Sequence, residues 1–149
     1  MAIRIIPPGS ILGASGQFGD GLIAELTDLE LAPGRMGGLR FLRDPATGDW
    51  TTDIPPIYRV PATAAEVRAF ALACRDCLAE PPGEYDADLF DNGRDAGLLG
   101  FEIHADGTLD LQLTLNLGGA VSLDRADYDR ARVERLVDAL LEATAAFLS

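Results

Sequence analysis

The stretch GFEIHADGTLDLQLTLNL, residues 100 to 117, constrains the fold more than any other part of the chain. Leu109, Leu111, Leu113, Leu115 and Leu117 alternate with Asp110, Gln112, Thr114 and Asn116. Successive side chains of a strand point to opposite faces, so the segment reads as a strand with one buried and one wet face. Upstream, Leu99, Phe101 and Ile103 alternate with Gly100, Glu102 and His104, which predicts a second strand. A two-residue loop at Asp106-Gly107 would set Ile103 on the same side as Asp110 and bury charge against apolar surface. A three-residue loop, Ala105-Asp106-Gly107, avoids this. With Gly107 in the left-handed position after a type I turn, Ile103 pairs with Leu109, Phe101 with Leu111 and His104 with Thr108.

Two helices are predicted. Thr63-Ala64-Ala65-Glu66 spells a capping box, in which each side chain satisfies the other's backbone amide. Val67, Phe70, Ala71, Cys74 and Leu78 continue it as an apolar stripe, and Pro81-Pro82-Gly83 stops it. A longer helix is expected from about Asp127 to Leu148, burying Val133, Leu136, Val137, Leu140, Thr144 and Phe147. Its outer face would carry Arg130, Arg132, Glu134, Arg135, Asp138 and Glu142.

The N-terminal part breaks into IRII, LRFL, DWTT and IYRV, separated by Gly and Pro, which suggests short strands, with RDPATGDW as a hairpin turn. GLIAELTDLEL fits a strand through Leu22, Ala24 and Leu26 and a helix through Leu22, Ile23, Leu26 and Leu29. Both remain open, with the balance towards a strand bulged near Thr27-Asp28. The expected fold class is α+β: a mainly antiparallel sheet with a central helix and a long C-terminal helix packed on it, residues 1–149 forming one domain.

The charge balance narrows the partners. Twelve basic residues face 24 acidic ones, and every basic residue is an arginine. A net charge of −12 repels phosphate backbones and anionic lipid, so neither nucleic acid nor a membrane surface is expected, whereas a basic protein would be steered in. The absence of lysine excludes Schiff-base chemistry and the lysine of a phosphate loop. No apolar run is long enough to cross a bilayer as a helix, and MAIRIIPPGS lacks a secretory apolar core, so a cytoplasmic location is expected.

Four segments resemble sites. His104 falls beside Glu102 and diagonal to Asp110, which would suit a carboxylate-oriented base, although the alternation alone explains a solvated face. Cys74-Arg75-Asp76-Cys77 lies late in the first helix, where the dipole opposes a low-pKa thiol, and zinc would need two more ligands. Burial on the apolar stripe accounts for both cysteines. Gly19-Asp20-Gly21-Leu22-Ile23-Ala24 matches a dinucleotide fingerprint but lacks the preceding strand and the parallel unit after it, and a flexible loop over GSILGASGQFGDG explains the glycines. EYDADLFDNGRDAG, residues 84 to 97, fails the calcium-loop pattern and reads as an exposed acidic loop. Its Glu84, Tyr85, Asp86, Asp88, Phe90, Asp91 and Asp95 form the candidate surface for a basic protein partner. No catalytic residue, metal site or cofactor is assigned.

From about residue 20 to 148, the order of LIAELTDLEL, VPATAAEVRAFALACRDCLAE, LLGFEIHADGTLDLQLTLNL and a closing amphipathic helix resembles the WapI-type immunity proteins of bacterial polymorphic-toxin systems. That resemblance implies a cytoplasmic, non-enzymatic inhibitor of a cognate toxin, to which an acidic surface would offer a basic toxin domain its complement. The alternatives are a small enzyme or ligand-binding domain with a pocket near His104, and a homodimeric adaptor.

Overall fold

The structure, a computed structural model, describes residues 21–32, 35–54, 58–91, 93–116 and 120–147. Along the chain run β1 (Leu22–Ala32), β2 (Arg35–Arg43), β3 (Trp50–Ile54), β4 (Tyr58–Ala62), α1 (Ala64–Leu78), β5 (Gly83–Asp91), β6 (Arg94–Ile103), β7 (Leu109–Asn116), β8 (Ala120–Tyr128) and α2 (Arg130–Ala143). The strands form one curled antiparallel sheet in the order β4-β3-β2-β1-β8-β7-β6-β5. The fold is therefore α+β and mostly sheet. Among the described residues, no helix is long and apolar enough to cross a membrane.

The hairpin of β6 and β7 has the register its alternation predicts, with Ile103 opposite Leu109 and Phe101 opposite Leu111. His104 donates its amide to the Thr108 carbonyl at 2.9 Å, and Gly107 turns the chain at φ +89°. Residues 22 to 32 form a strand, so the helical option falls. Its register shifts between Leu26 and Leu29, and Asp28 takes φ +64°, which places the bulge at the expected residues. Arg43 pairs with Trp50 across the RDPATGDW turn, as expected. The IRII fragment and residues 9–20 of the glycine-rich segment lie outside the described residues.

Both helices pack on one face of the sheet. The core joins Val67, Phe70, Ala71 and Cys74 of α1 and Val133, Leu136 and Leu140 of α2 to Leu99, Leu109, Leu113, Leu115 and Leu123 of the sheet. Each fully buried leucine contributes roughly 1.5–3 kcal/mol relative to exposure. The capping box forms as expected: Thr63 Oγ1 accepts the Glu66 amide at 3.1 Å and Glu66 accepts the Thr63 amide at 2.9 Å.

Three expectations need correction. Residues 84 to 97 are not a loop: they form β5 and the start of β6, closed by a tight turn between Asp91 and Arg94 with Gly93 at φ +88°. Tyr85, Ala87 and Leu89 alternate with Glu84, Asp86 and Asp88, and this period, masked by the charge, makes a strand. The C-terminal helix does not begin at Asp127. Residues 120 to 128 are strand β8, Asp129 caps α2 through the Ala131 amide, and the helix ends at Ala143. Finally, Arg130 and Arg132, expected on the outer face of that helix, are only partly exposed and turn back to neighbouring elements. Arg130 donates to the Leu78 carbonyl at the end of α1, and Arg132 reaches Thr27 and Asp28 in β1.

The last contact belongs to the joint between the two halves of the sheet. Among the described residues the β1–β8 ladder pairs Glu30 with Asp124. Around it, the Tyr128 hydroxyl donates to the Thr27 carbonyl at 2.8 Å. Arg132 lies 5.0 Å over the Tyr128 ring and donates to Asp28 at 3.1 Å. Removing a hydrogen-bonding group while leaving its shape costs about 1–2 kcal/mol where the partner carbonyl is stranded. Tyr128→Phe is therefore expected to lower the urea midpoint without changing the slope. A midpoint equal to the parent's would show that the joint does not depend on this bond.

Candidate functional site

The face of the sheet away from the helices carries the acidic residues. Strand alternation puts Glu84, Asp86 and Asp88 of β5 on this face, and all three are exposed. The register aligns Glu84 with Glu102 and Glu102 with Asp110, giving three carboxylates in one row across β5, β6 and β7. The next row runs Asp86, Gly100, Gln112, Asp124. Like charges directly opposite one another in a sheet are destabilising, by roughly 0.2–1 kcal/mol per pair. A groove of about 370 Å³ lies over these rows, lined by Glu84, Asp86, Glu102, Asp110, Asp124 and Arg125 among others.

At one end of the first row stands His104. Its Nε2 lies 3.1 Å from Asp110 Oδ2, and the other Asp110 oxygen accepts the Asp127 amide at 2.9 Å. That amide is presented by a bulge in β8: the register skips from Leu109 opposite Tyr128 to Leu111 opposite Arg125, and Asp127 adopts φ +52°. The hydrogen bond to Asp110 raises the imidazole pKa above its ordinary value, helped by the charges of Asp110, Glu102 and Asp106 and opposed by partial desolvation. Asp110 is held below the usual carboxylate range, first by the Asp127 amide and then by His104. Asp106 is lowered by the hydroxyl and amide of Thr108, which it accepts at 2.7 Å and 3.0 Å.

Glu102, His104 and Asp110 are also the one group of three ligating side chains found together among the described residues, with one donor atom of each within 4.8 Å of the others. An imidazole with two carboxylates suits a divalent transition ion. As built, however, the imidazole nitrogen nearest Asp110 is engaged by it, and coordination through that atom would replace the hydrogen bond. His104 and Asp110 form an oriented pair, but among the described residues neither the nearby hydroxyl nor a thiol is free beside it as a nucleophile. The Thr108 hydroxyl is engaged by Asp106. Cys74 and Cys77 are free thiols buried in α1 in the core, and burial raises the pKa of both.

The seven residues proposed as a partner surface do not all share it. Tyr85 points the other way: it packs against the core and donates its hydroxyl to the Pro81 carbonyl at 2.7 Å. Phe90 is half-buried at a bulge where it pairs with Asp95, which is exposed and accepts the Gly97 amide at 3.1 Å. The Asp91 side chain lies outside the described residues, though its backbone pairs with Arg94. Sequence reasoning set Glu102 and Asp110 beside His104 on the solvated face of the hairpin, but it did not join them to the acids of β5 and it passed over Asp124. Of the dinucleotide-like segment, Leu22 to Ala24 belong to β1, so a strand stands where that motif requires a helix.

Known proteins offer no guide to these residues. No family model, curated protein or solved structure matches the chain.

The His104 pair makes a pH prediction. A histidine whose folded pKa is raised contributes stability below the ordinary imidazole pKa and loses it as the pH rises through the raised value. Asp110, being lowered, contributes above the ordinary carboxylate range and loses this as the pH falls through its depressed value. A proton NMR titration of the single imidazole is expected to give a pKa above the usual one, falling back in Asp110→Asn. An identical titration in the two proteins would refute the coupling.

Proposed function

We propose that the chain is a small cytoplasmic binding protein that docks a basic protein surface, acting as an immunity-like inhibitor of a cognate toxin domain. The observation that carries this reading is the row of carboxylates Glu84, Glu102 and Asp110, beside Asp86 and Asp124 on the same face. Placing acids opposite one another works against the sheet, and such a local conflict is expected where a surface serves a partner. Charge complementarity would speed encounter with a basic domain and discriminate against acidic ones.

A second reading, a small enzyme with His104 as base, draws on the oriented pair with Asp110 at the groove. It requires the substrate to bring its own nucleophile or water, since both thiols are buried in the core.

The test is recovery of tagged full-length protein from its native host at low and high salt, with the Asp86→Arg/Asp88→Arg variant alongside. A stoichiometric basic protein is expected with the parent, released as the screening length shrinks from about 10 Å at 0.1 M salt to about 3 Å at 1 M. The charge-reversed protein should retain less than about a tenth of it. A partner held equally by both proteins would remove the acidic face from consideration, and a bound small molecule instead would favour the enzyme reading.

A further inference from the structure

Of the strand glycines Gly38, Gly97 and Gly100, the first two have a backbone reason and the third does not. A Cβ at Gly38 would lie 2.6 Å from the Leu26 carbonyl oxygen, and one at Gly97, where φ is +144°, would lie 2.1 Å from that of Thr114. These positions exclude any side chain. Gly100, in the middle of β6, is different: its φ lies outside the left-handed range, and a Cβ would meet Gln112 O at 3.4 Å, Asp86 Oδ1 at 3.7 Å and Leu98 Cδ1 at 3.8 Å. Those are ordinary contacts. A glycine in a strand interior costs roughly 0.5–1 kcal/mol relative to alanine and often marks a place where a ligand comes close.

The missing side chain leaves a notch in the floor of the acidic groove. Asp86 and Gln112 flank it on the neighbouring strands, and Leu98 and Glu102 flank it along β6, each about 7 Å away at Cα. The walls are thus two carboxylates, one amide and one half-buried apolar side chain. Arg125, the cation among the groove's lining residues, stands on β8, two strands from Gly100.

We infer that this notch takes an arginine side chain of the docked partner, its methylenes against Leu98 and its guanidinium between Asp86 and Glu102, within reach of the Gln112 amide oxygen. The inference rests on the proposed reading of this face as the docking surface for a basic protein. Arginine fits better than lysine for a geometric reason. Its planar fork carries five donors in fixed directions and is weakly hydrated, so it can serve acceptors on opposite walls while lying on a bare backbone floor. An ammonium is a compact point charge that holds its water and has no flat face to offer the glycine.

The test uses isotope-labelled full-length protein at low salt, with the capped peptide Ac-Gly-Arg-Gly-NH2, its lysine counterpart and an oligolysine as probes. The arginine peptide is expected to shift the Gly100 and Gln112 amides and to bind at least about fivefold tighter than the lysine peptide. Gly100→Leu fills the notch yet keeps every carboxylate, and it should abolish that preference without weakening oligolysine. Gly100→Ala, whose methyl fits the observed space, should reduce the preference with the fold intact, so the comparison survives if the leucine variant is unstable. Equal affinity for the two short peptides, unaffected at Gly100, or no shift with either, overturns the arginine notch while oligolysine binding keeps the acidic-face reading. Failure of oligolysine to bind overturns both.

Discussion

The grip of Tyr128 and Arg132 on the bulge of β1 joins the two halves of the sheet. Strands β1 to β4 form one meander and β5 to β8 another, each knit by neighbours in sequence. Among the described residues their ladder pairs Glu30 with Asp124, and the Tyr128 hydroxyl bonds a carbonyl 101 residues away. Contacts of that separation carry the largest loop-closure cost, so this joint is expected to form late in folding. Asp28 in a left-handed conformation is the local expense of turning Thr27 and Asp28 towards their partners.

Beneath the joint, arginines do much of the fastening. Arg43 from β2 donates to the Ala143 carbonyl at 2.9 Å, and Arg68 from α1 donates to the Leu141 carbonyl at 3.2 Å and the Thr144 hydroxyl at 3.3 Å. The end of α2, whose carbonyls have no partner within the helix, is thus closed by cations from two other elements. Arg130 does the same for α1 at Leu78. A chain with 12 arginines against 24 acids spends several of them on helix ends, and the outer sheet face keeps its negative charge. The two faces of the sheet consequently have opposite chemistry: leucine layered against helices on one side, carboxylates in rows on the other.

How much of this the sequence disclosed depends on how cleanly each segment's period stood out from its charge. In β6 and β7 the apolar phase is unbroken from Leu99 to Leu115, and the Asp-Gly turn forces the register, so pairing and His104 geometry were both legible. β5 has the same period in Tyr85, Ala87 and Leu89, with Gly93 in the turn after it, but five acids in the segment suggested a solvated loop. β8 was the hardest. Its bulge breaks the phase between Leu123 and Tyr128, and the bulge residues Ala126 and Asp127 look like the approach to the helix that begins two residues after Tyr128. Missing β8 hid Asp124 and the amide that anchors Asp110, which is why the acidic face could not be assembled from sequence.

The position of β5 bears on self-association. It is the last strand of the sheet, and its backbone edge is the kind of surface on which another copy could extend the sheet. Two copies meeting there would bring Glu84, Asp86 and Asp88 of one alongside the same residues of the other, at strand spacing and with no lysine anywhere in the chain to bridge them. The carboxylates proposed to receive a basic partner would therefore also set the sheet edge against its own copies, a selectivity by repulsion.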